Sequence, residues 1–135
     1  MRTQAIPTRP QGAALIPPPP FVSHCLELLA PLGSARSRRM FGGWGLYVDE
    51  LFMALIANDR LYLKVNAQTQ AAFERAGCEP FAYTAKGTTL TMAYWSAPPD
   101  ALDSPALMLP WGRLALQAAL AARAVAAPRN PRPTR

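Results

Sequence analysis

Apolar positions along this chain follow two periods, and the switch between them marks out the elements. Val22, Cys25, Leu26 and Leu29 recur at i, i+3, i+4 and i+7, with Phe21, Leu28 and Leu32 widening the stripe. That spacing predicts a helix over 21–32, ended by Pro31 and Gly33. His24 and Glu27 lie on its other side. Ser34 to Arg39, with arginines at Arg36, Arg38 and Arg39, reads as a polar link. From Leu46 the pattern changes. Leu46 to Val48 reads as strand, and Leu51 to Ala57 is a nearly unbroken apolar run suited to a central strand. Arg60 to Val65 alternates, with Leu61, Leu63 and Val65 on one face and Tyr62 and Lys64 on the other. Asp49-Glu50 and Asn58-Asp59 supply the two turns; Asp-Gly would signal a tighter turn than Asp-Glu.

Asn66 is a good cap for a helix over 67–76 that Gly77 stops. Phe81 to Thr84 and Thr88 to Trp95 predict a second hairpin around Lys86-Gly87. A last helix runs from about Ser104 or Pro105 to Ala126. Leu107, Trp111, Leu114, Ala118, Ala121 and Val125 form its main seam, and Leu109, Leu116 and Leu120 form a second apolar edge. Pro110 removes one helical hydrogen bond, which predicts a kink or a fresh start there. The element order is then α-β-β-β-α-β-β-α. Short links and hairpins favour α+β: a five-stranded antiparallel sheet with helices packed mainly on one face. The second edge of the last helix is wider than one chain needs and motivates a homodimer, with Leu109, Leu116 and Leu120 at its contact.

Proline and charge set the domain bounds. Residues 1–20 hold six prolines, four of them consecutive at Pro17 to Pro20, and read as a disordered extended arm. Residues 127–135 return to proline and arginine and read as a disordered basic tail. The net charge of +6 lies mostly in these ends, because residues 21–126 keep nine basic side chains against eight acidic ones. A nearly neutral domain weakens the nucleic-acid reading that a high pI would otherwise suggest; basic ends still give loose, salt-sensitive attraction to polyanions. No apolar run approaches the ~20 residues of a membrane helix, and the first residues lack a signal-peptide core, so a cytoplasmic protein with no membrane partner is expected.

Candidate chemistry is sparse. Cys25 and Cys78 make no metal-binding spacing, and the single histidine, His24, points to a different helix face from Cys25, so the two form no nucleophile–base pair. No catalytic residue, cofactor or metal is assigned. A pocket lined by Tyr62, Lys64, Tyr83 and Lys86 would reopen an enzymatic reading. The segment Met40-Phe41-Gly42-Gly43-Trp44-Gly45 invites comparison with phosphate loops, but its spacing is G-G-x-G and it leads into a strand, without the helix N-terminus that holds a pyrophosphate. It reads instead as a bulge or tight bend at the start of the sheet.

The run from Arg38 to Tyr47, Arg-Arg-Met-Phe-Gly-Gly-Trp-Gly-Leu-Tyr, followed by Phe-Met-Ala-Leu-Ile-Ala-Asn-Asp-Arg-Leu-Tyr-Leu-Lys-Val over 52–65, resembles the N-terminal domain of the TfoX/Sxy competence-regulator family. Glu79-Pro80-Phe81, Met92 to Trp95 and Leu109-Pro110-Trp111 fit the same pattern. The resemblance covers about residues 21–126, as a stand-alone N-terminal domain. It implies a regulator and not an enzyme; two-domain members of the family promote expression of DNA-uptake genes as coactivators with the cyclic-AMP receptor protein. The expected function is a protein-interaction module, with Arg38, Arg39, Phe41, Trp44 and Lys64 as its candidate surface. The alternatives are weak, sequence-independent nucleic-acid binding through basic ends and, further off, a small enzyme.

Overall fold

A computed structural model describes residues 18–40, 42–85 and 88–126. The expected arm over 1–20 and tail over 127–135 lie almost wholly outside these residues. The chain is α+β, built on one antiparallel sheet of six strands in the order β1-β2-β3-β4-β6-β5. The strands are β1 Ala35–Met40, β2 Gly43–Val48, β3 Leu51–Ala57, β4 Arg60–Lys64, β5 Pro80–Ala85 and β6 Thr88–Ser96. The helices are α1 Pro20–Leu29, α2 Gln70–Arg75 and α3 Pro105–Ala126, with short 3-10 turns at Ala30–Leu32 and Pro99–Asp103.

The sixth strand corrects the expected count of five. β1 is Ala-Arg-Ser-Arg-Arg-Met, a segment expected to be a polar link. It lacks apolar alternation because it is an edge strand, half of whose side chains face water, and charge on an edge is a common device against unwanted pairing. Its register with β2 is unbroken over six residue pairs, from Ala35 opposite Val48 to Met40 opposite Gly43.

The turns have unusual chemistry. Asp49, Glu50, Asn58 and Asp59 all take positive φ, between 50° and 67°. Two consecutive left-handed residues make the primed turn that matches strand twist, which most sequences reserve for Asn-Gly. Asp49 and Glu50 also tie the turn to β1. Ser34 N–H donates to Asp49 Oδ1 at 2.9 Å, and the Arg36 guanidinium donates to both oxygens of Glu50 at 2.7–3.2 Å. Among the described residues no such contact compensates Asp59, so Asp59→Gly is expected to raise stability by about 0.5–1 kcal/mol, read as a higher urea midpoint at unchanged slope.

Between β2 and β3 the register slips: Leu46 faces Ala54 but Tyr47 faces Phe52, which leaves Met53 as the extra residue of a bulge. Met53 and Ala54 therefore both join the core, where each is fully buried. That core lies between one face of the sheet and the three helices. Leu46, Val48, Ile56, Leu61 and Leu63 meet Val22, Cys25, Leu28 and Leu29 of α1 and Met108, Ala115 and Ala119 of α3. The buried stripe of α3 is thus rotated by one residue from the expected seam. Leu107, expected inside, is 49% exposed. The helix is apolar around most of its girth, so sequence alone leaves its phase open; the alanines decide it by letting the helix approach the sheet. Where α3 crosses α1, Gly112 leaves room for Leu32 and Leu29. Pro110 sits inside α3, which runs on as one element.

α2 is shorter than the expected 67–76. The Asn66 side chain accepts N–H bonds from Gln68 and Thr69, and Thr69 Oγ1 accepts the Asn66 N–H at 3.0 Å, so residues 66–69 form a bonded turn before the helix starts. Its end is as expected: Gly77 has φ +80°, and Cys78 N–H bonds back to Phe73 O.

Candidate interaction surface

Strand alternation sorts the sheet's side chains into two faces. Ala35, Ser37 and Arg39 of β1, with Trp44 of β2, share the face that carries the helices. Arg36, Arg38 and Met40 share the other face with Tyr47, Phe52, Tyr62, Lys64 and Tyr94. The residues expected to form one surface therefore divide. Trp44 packs against the core edge, with the Arg39 guanidinium 5.7 Å from its ring centroid. Arg38 and Lys64 stand on the opposite face. Phe41 lies outside the described residues. On α3, Leu116 packs against the core, Leu109 is half-buried and Leu120 is 53% exposed.

The second face carries a row of rings capped by cations. Tyr47 stacks on Phe52 at 5.2 Å, and Phe52 meets Tyr94 at 5.7 Å. Arg36 covers Tyr47 at 4.5 Å, and Lys64 Nζ lies 4.9 Å from the Tyr94 centroid. A second group joins Tyr62 and Phe81 at 4.9 Å, with Arg60 over Tyr62 at 5.5 Å and Glu79 3.2 Å from Arg60. Cation–ring contacts of this kind contribute about 0.5–1 kcal/mol each at exposed sites. They show how the protein carries large rings on this sheet face: Tyr47, Tyr62 and Tyr94 each lie under a charged head, and Phe52 and Phe81 pack against those tyrosines. Sequence alternation placed Tyr62 and Lys64 on this face. The rest of the row depends on β6 lying beside β4, which no local pattern reveals.

Electrostatics follow burial. Lys64 is held below its ordinary pKa by desolvation. Burial, then the nearby Tyr47, pushes Tyr94 up to about 12. Burial alone pushes the Cys25 thiol up to about 12, and Cys78 is raised chiefly by burial as well. A thiol so held is a poor nucleophile. Cys25 and Tyr94 both favour their neutral forms when folded. Their contribution to stability is full below the unfolded values, about 8.5 and 10, and is lost as pH rises towards 12. The urea midpoint is therefore expected to fall between pH 9 and 11, and Cys25→Ala should remove the earlier part of that fall. Lys64 acts in the opposite sense, since raising pH relieves its buried charge. A fall unchanged in Cys25→Ala would refute the assignment to Cys25.

His24 is exposed, and its Nε2–H donates to Leu102 O at 2.8 Å, fastening α1 to the Pro99–Asp103 turn. A shallow cavity of about 390 Å³ is lined by Glu50, Leu51, Phe52, Lys64, Ala119, Ala122 and Arg123. Of the pocket that would reopen an enzymatic reading, Lys86 and the Tyr83 side chain lie outside what the structure describes. Among the described residues, no three His, Cys, Asp or Glu side chains converge as a metal set would. No described helix is long and apolar enough to cross a membrane.

A family model, the TfoX N-terminal domain, matches residues 27–119, from within α1 through the sheet and into α3. The chain belongs to the TfoX N-terminal domain family. Its sequence is also 35% identical over 78 residues to the DNA transformation protein TfoX1 of Aliivibrio fischeri. That match takes in 58% of this chain and 37% of the relative, so the chain spans well under two thirds of the relative's length. In this TfoX N-terminal domain the Arg38–Tyr47 run leads into a strand, not into a helix N-terminus. It forms a hairpin whose glycines have separate tasks. Gly42 holds a positive φ of 78° at the turn. Gly43 lets β2 approach the Ile56 carbonyl, and Gly45 leaves space for Met40 and Phe52.

Proposed function

We propose that this chain is a non-catalytic regulatory module that promotes expression of DNA-uptake genes through protein contacts, as a coactivator beside the cyclic-AMP receptor protein. The observation that carries the reading is the family match over 27–119, which takes in nearly every described element. The name of the relative, a DNA transformation protein, supports the competence setting. The arrangement of side chains supports a contact role over a chemical one: Cys25 is buried and Cys78 half-buried, burial raises the pKa of both thiols, and cations lie over aromatic rings.

The test is a reporter driven by a DNA-uptake-gene promoter, in cells with and without the cyclic-AMP receptor protein. Expression of the full chain is expected to raise the reporter several-fold only where the receptor protein is present. An unchanged reporter at confirmed protein levels would sink the regulatory reading; an equal rise without the receptor protein would sink the coactivator part alone.

A further inference from the structure

The sheet has two edges, and they differ in how they treat an incoming strand. β5 starts at Pro80, which has no N–H to give, and its pairing with β6 is irregular between Pro80 and Ala82. Proline and bulges blunt an edge. β1 has neither, and its six-residue register is regular. Asp49 N–H bonds to Ser34 O, so Ser34 and Asp49 form a hydrogen-bonded pair. Alternation from that pair turns the N–H and C=O groups of Ala35, Ser37 and Arg39 outward. Among the described residues nothing pairs with that outer side.

Charge says what fits there. Arg36 is engaged by Glu50, which lies at one end of the strand. Arg38 and Arg39 are exposed at the other end, on opposite faces, and no acidic side chain among the described residues bridges them. A second copy pairing edge to edge would bring three arginines from each chain to one seam. The chain's own ends are no better suited, since residues 1–17 and 127–135 contain arginines and no acid. Nucleic acid would use Arg38, but stacking needs bare rings, and here Tyr47 and Tyr62 are already capped by arginine.

We infer that β1 is a docking edge for an extended acidic segment of a partner protein, which adds as a seventh strand through the backbone of Ala35, Ser37 and Arg39. Backbone bonds give affinity, and Arg38 and Arg39 clamp carboxylates above and below the strand. The inference rests on the reading that this chain works by protein contact, and it names the surface and the partner's chemistry.

The probe is a seven-residue peptide, Val-Thr-Glu-Glu-Glu-Thr-Val with blocked ends, whose glutamates fall on both faces of a strand, added to the full chain at low salt. Three others are run beside it: the same peptide N-methylated at alternate residues, a lysine-for-glutamate version and an oligothymidine. The acidic peptide is expected to slow amide exchange at Ala35, Ser37 and Arg39 by about tenfold or more, and not at β5. N-methylation should abolish this, because charge is kept while strand pairing is lost. Ser37→Pro removes an outward donor at an edge position that tolerates proline, and should weaken binding at least about tenfold with the fold intact by circular dichroism. Equal binding of the N-methylated peptide, equal protection by oligothymidine, or no protection of the three amides overturns the inference. A reporter that still responds to Ser37→Pro would sink docking at β1 and leave the regulatory reading standing. A silent reporter with protected amides would do the reverse.

Discussion

Phe73→Ala is expected to cost about 3–5 kcal/mol of unfolding free energy. Phe73 is fully buried and its ring meets Trp111 edge-on, at 5.0 Å and 64°. It is the one fully buried residue of α2, a helix of six residues. A helix that short has no stability of its own in water, so its anchor has to come from packing. Removing the ring forfeits the transfer energy, leaves a cavity beside Trp111 and frees the turn from Asn66 to Cys78 that leads into β5. Urea unfolding should show the whole cost as a shift in midpoint, and the melting temperature should fall by on the order of 10–20 °C. Phe73→Leu should recover more than half of the loss, since the cavity is then mostly filled. A cost below about 1 kcal/mol for Phe73→Ala would mean that α2 is not docked as described.

Gly43→Val is expected to be nearly as damaging, at about 3 kcal/mol or more, by the opposite mechanism of overpacking. A side chain at Gly43 would run into the Ile56 carbonyl oxygen. That oxygen belongs to backbone in β3, which is paired on both sides, so it has no freedom to yield. The neighbouring glycine separates the causes. At Gly42 nothing lies within 4 Å of an added Cβ, but φ is 78°. Gly42→Ala should therefore cost only about 1–2 kcal/mol, and Gly42→Asn less, because asparagine tolerates the left-handed region. Equal costs for Gly43→Val and Gly42→Ala would remove the steric account of Gly43.

The physical reasons behind these two sites also explain what sequence could show. The central strands were readable because burial on a sheet imposes period two, and Arg60 to Val65 displayed it cleanly. α1 was readable because only one of its sides is buried. β1 was not, since an edge strand rich in arginine carries no apolar period, and Ser34 to Arg39 therefore looked like a link. The phase of α3 was hidden by leucines and alanines on almost every side. The glycine segment leads into a strand as expected, and the tight bend lies at Gly42, but the bulge lies across the ladder at Met53. For the surface, Lys64 was set on its correct face by alternation. Trp44 was grouped with it as part of the surface expected of an interaction module, whereas a β-strand sends residues with odd and even offsets to opposite sides. The aromatic row is a property of strand order: Phe52 and Tyr94 are far apart in sequence and meet only across β4.

The position of β6 has a consequence for how the chain folds. β1 to β4 pair with their sequence neighbours, and β5 and β6 form a hairpin of their own, so both units can assemble from local contacts. The two are joined by three residue pairs, Tyr62 with Ser96, Leu63 with Trp95 and Lys64 with Tyr94. Closing that seam must fix the intervening loop in one step, and α3 packs across β3 and β4 only after the chain beyond β6 exists. On a ribosome the meander would therefore wait, with its apolar face covered only by α1, until the last third of the chain emerged. The arginine-lined edge at β1 is then the part of the sheet that keeps waiting copies from pairing with one another.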